Sequence, residues 1–159
     1  MKKNFMYIQD PISYLTHFWG AVVSAAFLVV FILVSILHRN PLAVTLSLII
    51  FGCSLIALYS ASAYYHTLSN TCKKKKWFRK LDHSMIYCLI AGTYTPLAYM
   101  FLPSGENIRF LAILWTIALI GIVLKICWFN APRVLYTVLY LMMGWAVVFK
   151  WQAFSTMPG

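Results

Sequence analysis

The sequence predicts an all-α protein, a multi-pass bundle of transmembrane helices with five spans. Apolar residues make up 62% of the 159 positions and charged residues only 10%, whereas soluble domains carry about 25% charged residues. Apolar runs of about 20 residues, long enough to cross roughly 30 Å of hydrocarbon, recur along the chain between short polar turns. We therefore expect a single membrane domain over residues 1–159.

Polar breaks set the expected ends of the spans. Asp10-Pro11 precedes the first apolar run, with Ser13 or Thr16 as the candidate N-cap. This run is long and no small-residue cleavage site follows it, so it is expected to be a retained helix rather than a signal peptide. The longest connection is a basic loop at 70–80. The predicted spans are residues 17–37, 42–65, 84–102, 108–128 and 134–151.

The charge is strongly basic, with a formal net charge of +10. In a membrane protein such an excess sets orientation and meets anionic headgroups, so membrane lipids are the expected partners. No basic face alternates with a polar surface, so nucleic acid is not an expected partner. Most basic residues fall on the side of the N-terminus and the 73–80 loop. The positive-inside rule therefore predicts a cell-membrane protein with a cytoplasmic N-terminus.

The candidate site consists of Ser62, His66 and Asp82. Ser62 and His66 are four residues apart and so share one face at the end of the second span. Asp82 begins the next span, an expected antiparallel neighbour, so hydroxyl, imidazole and carboxylate are predicted at one membrane depth. Ionisable residues at such positions indicate function by default, and these groups can bind a metal or accept a proton. A plain helix-capping role for them stays open.

Three segments carry a resemblance to a known family. Residues 62–67 read SAYYHT, residues 81–96 read LDHSMIYCLIAGTYTP, and residues 140–145 read YLMMGW. Together they closely resemble the hemolysin III family, the bacterial branch of the progestin and adipoQ receptor proteins, which is itself similar to the alkaline ceramidases. Residues 16–20, THFWG, also resemble the family's opening of its first helix. The resemblance covers nearly the whole chain.

The resemblance implies a seven-helix membrane protein with zinc near the cytoplasmic face. It makes His66, in the S-x-x-x-H motif of the second helix, one of three histidine ligands, the other two lying in an H-x-x-x-H motif of the seventh helix. It also implies that Ser62 and Asp82 surround the zinc and its water, with Asp82 as proton acceptor. The implied function is zinc-dependent hydrolysis of a lipid amide or similar bond.

This chain departs from that pattern, because it has five predicted spans and no H-x-x-x-H motif. Three explanations stay open. The chain is a fragment or truncated product; self-association or a partner chain supplies the missing ligands; or the short chain binds no metal or uses His17 or His83 as substitute ligands. The alternative function is a cytolytic or membrane-modulating protein without catalysis, and a structural or binding role is the third.

Overall fold

The computed structural model describes residues 8–128 and 132–150. These residues form helices joined by short turns and contain no strand, so the predicted all-α class is confirmed. The helices are α1 (Pro11–Leu37), α2 (Leu42–Thr67), α3 (Lys75–Phe101), α4 (Glu106–Cys127) and α5 (Arg133–Gly144), and α5 continues as a 3-10 helix over Trp145–Lys150.

Several of these helices are suited to a membrane. By length and composition, α1, α2 and α4 are each long and apolar enough to cross one. α3 has 27 residues, and α5 has 12 residues followed by a 3-10 helix of 6, which together reach roughly 30 Å. Apolar side chains such as Ile113 (61% exposed) and Leu119 (58%) face outward, as a lipid solvent requires. The chain is a multi-pass membrane protein.

The start of α1 differs from the prediction. Asp10 is the N-cap residue and Pro11 the first helical residue, a position where proline is favoured because its missing N–H would have no partner. The suggested N-caps Ser13 and Thr16 lie inside the helix instead. Thr16 Oγ1 donates to the carbonyls of Ile12 and Ser13, at 3.1 and 3.0 Å. The prediction that Ser13 or Thr16 caps the helix was wrong.

α3 also begins earlier than the predicted third span. The basic connection ends at Lys74, whose carbonyl accepts the backbone N–H groups of Trp77 and Phe78 at 3.0 and 3.1 Å. Phe78 packs on Tyr64 of α2 with ring centroids 4.4 Å apart. This contact gives the first turns of α3 an apolar partner, so the helix extends beyond the membrane-length apolar run. The predicted loop at 70–80 was too long.

Helices adjacent in sequence pack against one another, and α3 lies against α2, α4 and α5. The buried core follows α3, where Tyr87, Ala91 and Ala98 are each 0% exposed. Two hydrogen bonds join neighbouring helices at the ends of the bundle. Lys80 Nζ donates to the carbonyl of Ile126 at 2.7 Å, and Lys150 Nζ donates to Glu106 Oε2 at 2.7 Å. The first of these hydrogen bonds joins the start of α3 to the end of α4.

The second hydrogen bond, between Lys150 and Glu106, lies at the opposite end of the bundle. Which end faces the cytoplasm stays a prediction.

Candidate functional site

His66 lies in the last turn of α2, beside the start of α1. Its Nδ1 lies 3.3 Å from Asp10 Oδ2. The backbone N–H of Asp10 also donates to the carbonyl of His66, at 3.4 Å. Two contacts therefore hold the carboxylate of Asp10 against the imidazole. Because Nδ1 faces this carboxylate, Nε2 is the ring nitrogen left for a further ligand.

The carboxylate of Asp10 is itself held in place. Ser13 Oγ, one turn into α1, donates to Asp10 Oδ2 at 2.8 Å. This hydrogen bond is the main cause that lowers the pKa of Asp10 below its usual 3.8; burial opposes the shift, and the charge of His66 contributes less. Asp10 is therefore ionised near neutral pH and available as an acceptor for the N–H of His66.

His17 of α1 is the second imidazole at this end of the bundle. Its ring is nearly parallel to that of His66, with 4° between the planes and 5.5 Å between the centroids. The helices come close here because Gly20 has no side chain: a Cβ atom at this position would lie only 2.8 Å from the ring of Tyr59. Nδ1 of His17 is buried and has no hydrogen-bond partner among the described residues.

Ser62 and Asp82 occupy the two helices that the sequence indicated. Ser62 is 6% exposed and lies one turn before His66 on α2. Asp82 is partly buried on α3. The described residues provide neither Asp82 nor Ser62 with a side-chain hydrogen bond or ion pair, and the carboxylate in contact with His66 is Asp10. The proposed roles of Ser62 and Asp82 stay predictions.

These residues meet the needs of a zinc ion only in part. A histidine that binds metal commonly gives its other ring N–H to a carboxylate, which is the relation between His66 and Asp10. A catalytic zinc normally takes three protein ligands, however, and the described part of the chain contains no group of three His, Cys, Asp or Glu side chains suited to one ion. His66 therefore fits one ligand position, and the described residues do not complete the set.

The geometry does not favour His17 as a substitute zinc ligand beside His66. The lone pair of an imidazole nitrogen lies in the plane of its ring, so two stacked rings aim their lone pairs side by side rather than at one point. His17 and His66 would therefore have to rotate before both could bind the same ion.

Comparison with known proteins decides the family. The sequence-family model for haemolysin-III related proteins matches residues 5–159 of the chain. The chain belongs to the hemolysin III family. This family member is similar to the Hemolysin-3 of Bacillus cereus, with 34% identity over 149 residues that cover 93% of the chain and 67% of the relative. It is also similar to the Hemolysin-3 homolog of Bacillus subtilis (strain 168), with 37% identity over 134 residues that cover 84% and 62%.

The hemolysin III chain described here thus spans about two thirds of the length of these curated relatives. No solved structure matches it with significance.

Asp10 is the residue of this hemolysin III site that the sequence did not indicate as functional. The sequence did contain a hint of its role. Acidic residues are rare in this chain, which has only three, and Asp10 lies seven residues before His17. On the sequence alone, Asp10-Pro11 is interpreted as a break before the first span. The fold shows that the same dipeptide starts α1 and places a carboxylate against His66.

Proposed function

We propose that this protein is a zinc-dependent membrane hydrolase acting on an amide-type bond of a lipid, with His66 as one zinc ligand. The observation that carries the proposal is the contact between His66 Nδ1 and the ionised Asp10. A carboxylate in this place fixes the ring and raises the basicity of the opposite nitrogen, Nε2. The other ligands would come from a further segment of the protein or from a partner chain.

Three further side chains have distinct parts in this proposal. When bound, zinc lowers the pKa of a water molecule and polarises the scissile carbonyl. Asp10 holds the imidazole of His66. The hydroxyl of Ser62, buried one turn away, orients the water or the substrate, and Asp82 accepts the proton that the attacking water loses. Outward-facing apolar side chains would let a lipid approach the site sideways from the bilayer.

Cytolysis without catalysis is the second candidate, since both relatives are named hemolysins. A pore requires polar side chains aligned along several spans. The hydroxyls within α1 do not offer such a lining, because Ser24 donates to the carbonyl of Gly20 at 2.7 Å and Ser35 bonds Thr45 at 2.8 Å. Both serines are buried. These bonds argue against a polar channel lining along α1.

The test is the zinc content of the complete gene product purified in detergent. We expect one zinc per protein in the wild type and none in His66→Ala, because a site that loses one of three protein ligands binds metal far more weakly. His38→Ala is the matched control, since His38 follows α1 at the other end of the bundle. Zinc that persists in His66→Ala, or no zinc in the wild type, would overturn the proposal.

The same preparations test the reaction. Release of fatty acid from an N-acyl lipid in mixed micelles should be lost in His66→Ala and reduced at least about 100-fold in Asp82→Asn, since general-base catalysis contributes about that much. Asp82→Asn should keep its zinc. A zinc-loaded wild type that cleaves no lipid amide would refute the hydrolase while leaving the metal site in place.

A further inference from the structure

The connection between α2 and α3 encloses a basic cavity that is separate from the His66 contact. It has a volume of about 550 Å³, and its lining includes the cations Lys73, Lys75, Lys76 and Arg79 together with Tyr65 and Asn70. A cavity of this size is typical of small-ligand sites. We propose that it binds the phosphate headgroup of an anionic phospholipid.

Hydrogen bonds within the protein hold Lys75 in place along one wall of the cavity. Its Nζ donates to the carbonyl of Leu68 at 2.8 Å, to Asn70 Oδ1 at 2.9 Å and to Gln9 Oε1 at 3.3 Å, and it lies 5.4 Å from the centroid of the Tyr65 ring. Gln9 Oε1 also accepts the backbone N–H of Asn70 at 2.6 Å. These bonds hold the connection to the segment before α1, so the cavity keeps its shape without a ligand.

The remaining cations supply the charge. Lys73, Lys76 and Arg79 are exposed, and the described residues provide none of them with a carboxylate partner. The whole chain has only three acidic residues: Asp10 lies against His66, Glu106 pairs with Lys150 at the other end of the bundle, and Asp82 has no ion pair among the described residues. The cavity is therefore an unneutralised positive site, which favours an anion with several acceptor oxygens.

The position of the cavity favours a lipid phosphate over a dissolved one. The cavity adjoins the end of α2, a helix suited to span the membrane, so it lies where the hydrocarbon region gives way to headgroups. Trp77, next to Lys76, is 57% exposed, and tryptophans of membrane proteins are enriched at headgroup depth. Clusters of Lys and Arg directly beside a membrane helix are also the usual recognition element for anionic lipids.

The test compares lipid binding by the complete protein in detergent, measured by native mass spectrometry. Phosphatidylglycerol and phosphatidylcholine with the same acyl chains are added separately. We expect the wild type to retain phosphatidylglycerol preferentially, and Lys73→Gln/Lys76→Gln/Arg79→Gln to lose at least about tenfold in affinity for it. The control Arg39→Gln/Lys74→Gln/Arg109→Gln removes the same charge outside the cavity lining, and its affinity should stay within about twofold of the wild type.

Two further measurements decide the source of the phosphate and the cause of any loss. Lys73→Arg/Lys76→Arg/Arg79→Lys keeps the charges and should retain the lipid, which separates lost charge from lost folding. Glycerol phosphate in solution should not displace the lipid at equal concentration. Equal lipid binding by the two Gln variants, no preference for phosphatidylglycerol in the wild type, or tight binding of free glycerol phosphate would each overturn the proposal.

Discussion

Asp10→Asn is expected to weaken zinc binding by about 10- to 100-fold, the usual cost of removing the carboxylate that supports a metal-binding histidine. Asparagine keeps the size of the side chain and an acceptor oxygen, but it loses the negative charge that lies 3.3 Å from His66 Nδ1. Nε2 then becomes less basic, and the ring less firmly oriented. The measurement is competition for zinc with a chromophoric chelator, using the complete protein.

A matched control uses the carboxylate at the other end of the bundle. Glu106→Gln removes the same charge from the pair with Lys150, and its zinc affinity should equal that of the wild type. Ser13→Ala should have a smaller effect than Asp10→Asn, because it removes only the hydrogen bond that steadies the carboxylate. Equal affinities of Asp10→Asn, Glu106→Gln and the wild type would contradict the role of Asp10.

The difference between His66 and Asp10 marks how far the sequence could predict the site. His66 stood out because an ionisable side chain at the end of a membrane-length segment is rare. Asp10 lies far from it in sequence, and the two meet because α1 packs against α2, with a close approach where Gly20 faces Tyr59. Hydrophobic periodicity contains no information about such a contact. The predicted start of α1 was also too late, so Asp10 was not recognised as the N-cap residue.

The fold was more predictable than the site because the bilayer leaves few alternatives. A segment of about 20 apolar residues must satisfy its backbone groups internally, so its length and composition alone indicate a helix. The differences arise where tertiary contacts decide. Packing of Phe78 on Tyr64 lengthens α3 toward the basic connection. The end of α5 passes into a 3-10 helix where Tyr94 Oη donates to the carbonyl of Gly144 at 2.6 Å and accepts the N–H of Val147 at 3.1 Å.

Gly121→Val is expected to destabilise the bundle by about 2–3 kcal/mol. A Cβ atom at Gly121 of α4 would lie 2.5 Å from the Tyr87 ring of α3. That ring is 0% exposed, and Tyr140 packs against it with centroids 4.4 Å apart, so it has no room to withdraw. Replacing glycine in a helix gains up to about 1 kcal/mol of propensity, which the overlap exceeds. Unfolding in detergent, followed by circular dichroism, measures the effect.

Gly144→Val provides the control, because nothing lies within 4 Å of a Cβ atom at Gly144. Its stability should stay within about 0.5 kcal/mol of the wild type. If both glycine variants have the same free energy of unfolding as the wild type, the contact between α3 and α4 is looser than described.

A double-mutant cycle identifies the contact responsible and connects it with the site. Gly121→Val should cost much less in a Tyr87→Leu background than in the wild type, because the smaller side chain leaves space for the added methyl groups. Tyr87 lies little more than one turn beyond Asp82 on α3, and Tyr140 Oη donates to the carbonyl of His83 at 2.9 Å. The packing of Gly121 against Tyr87 therefore also fixes the part of α3 that carries Asp82. In Gly121→Val, any hydrolysis that depends on Asp82 should fall, even at temperatures where the protein remains folded.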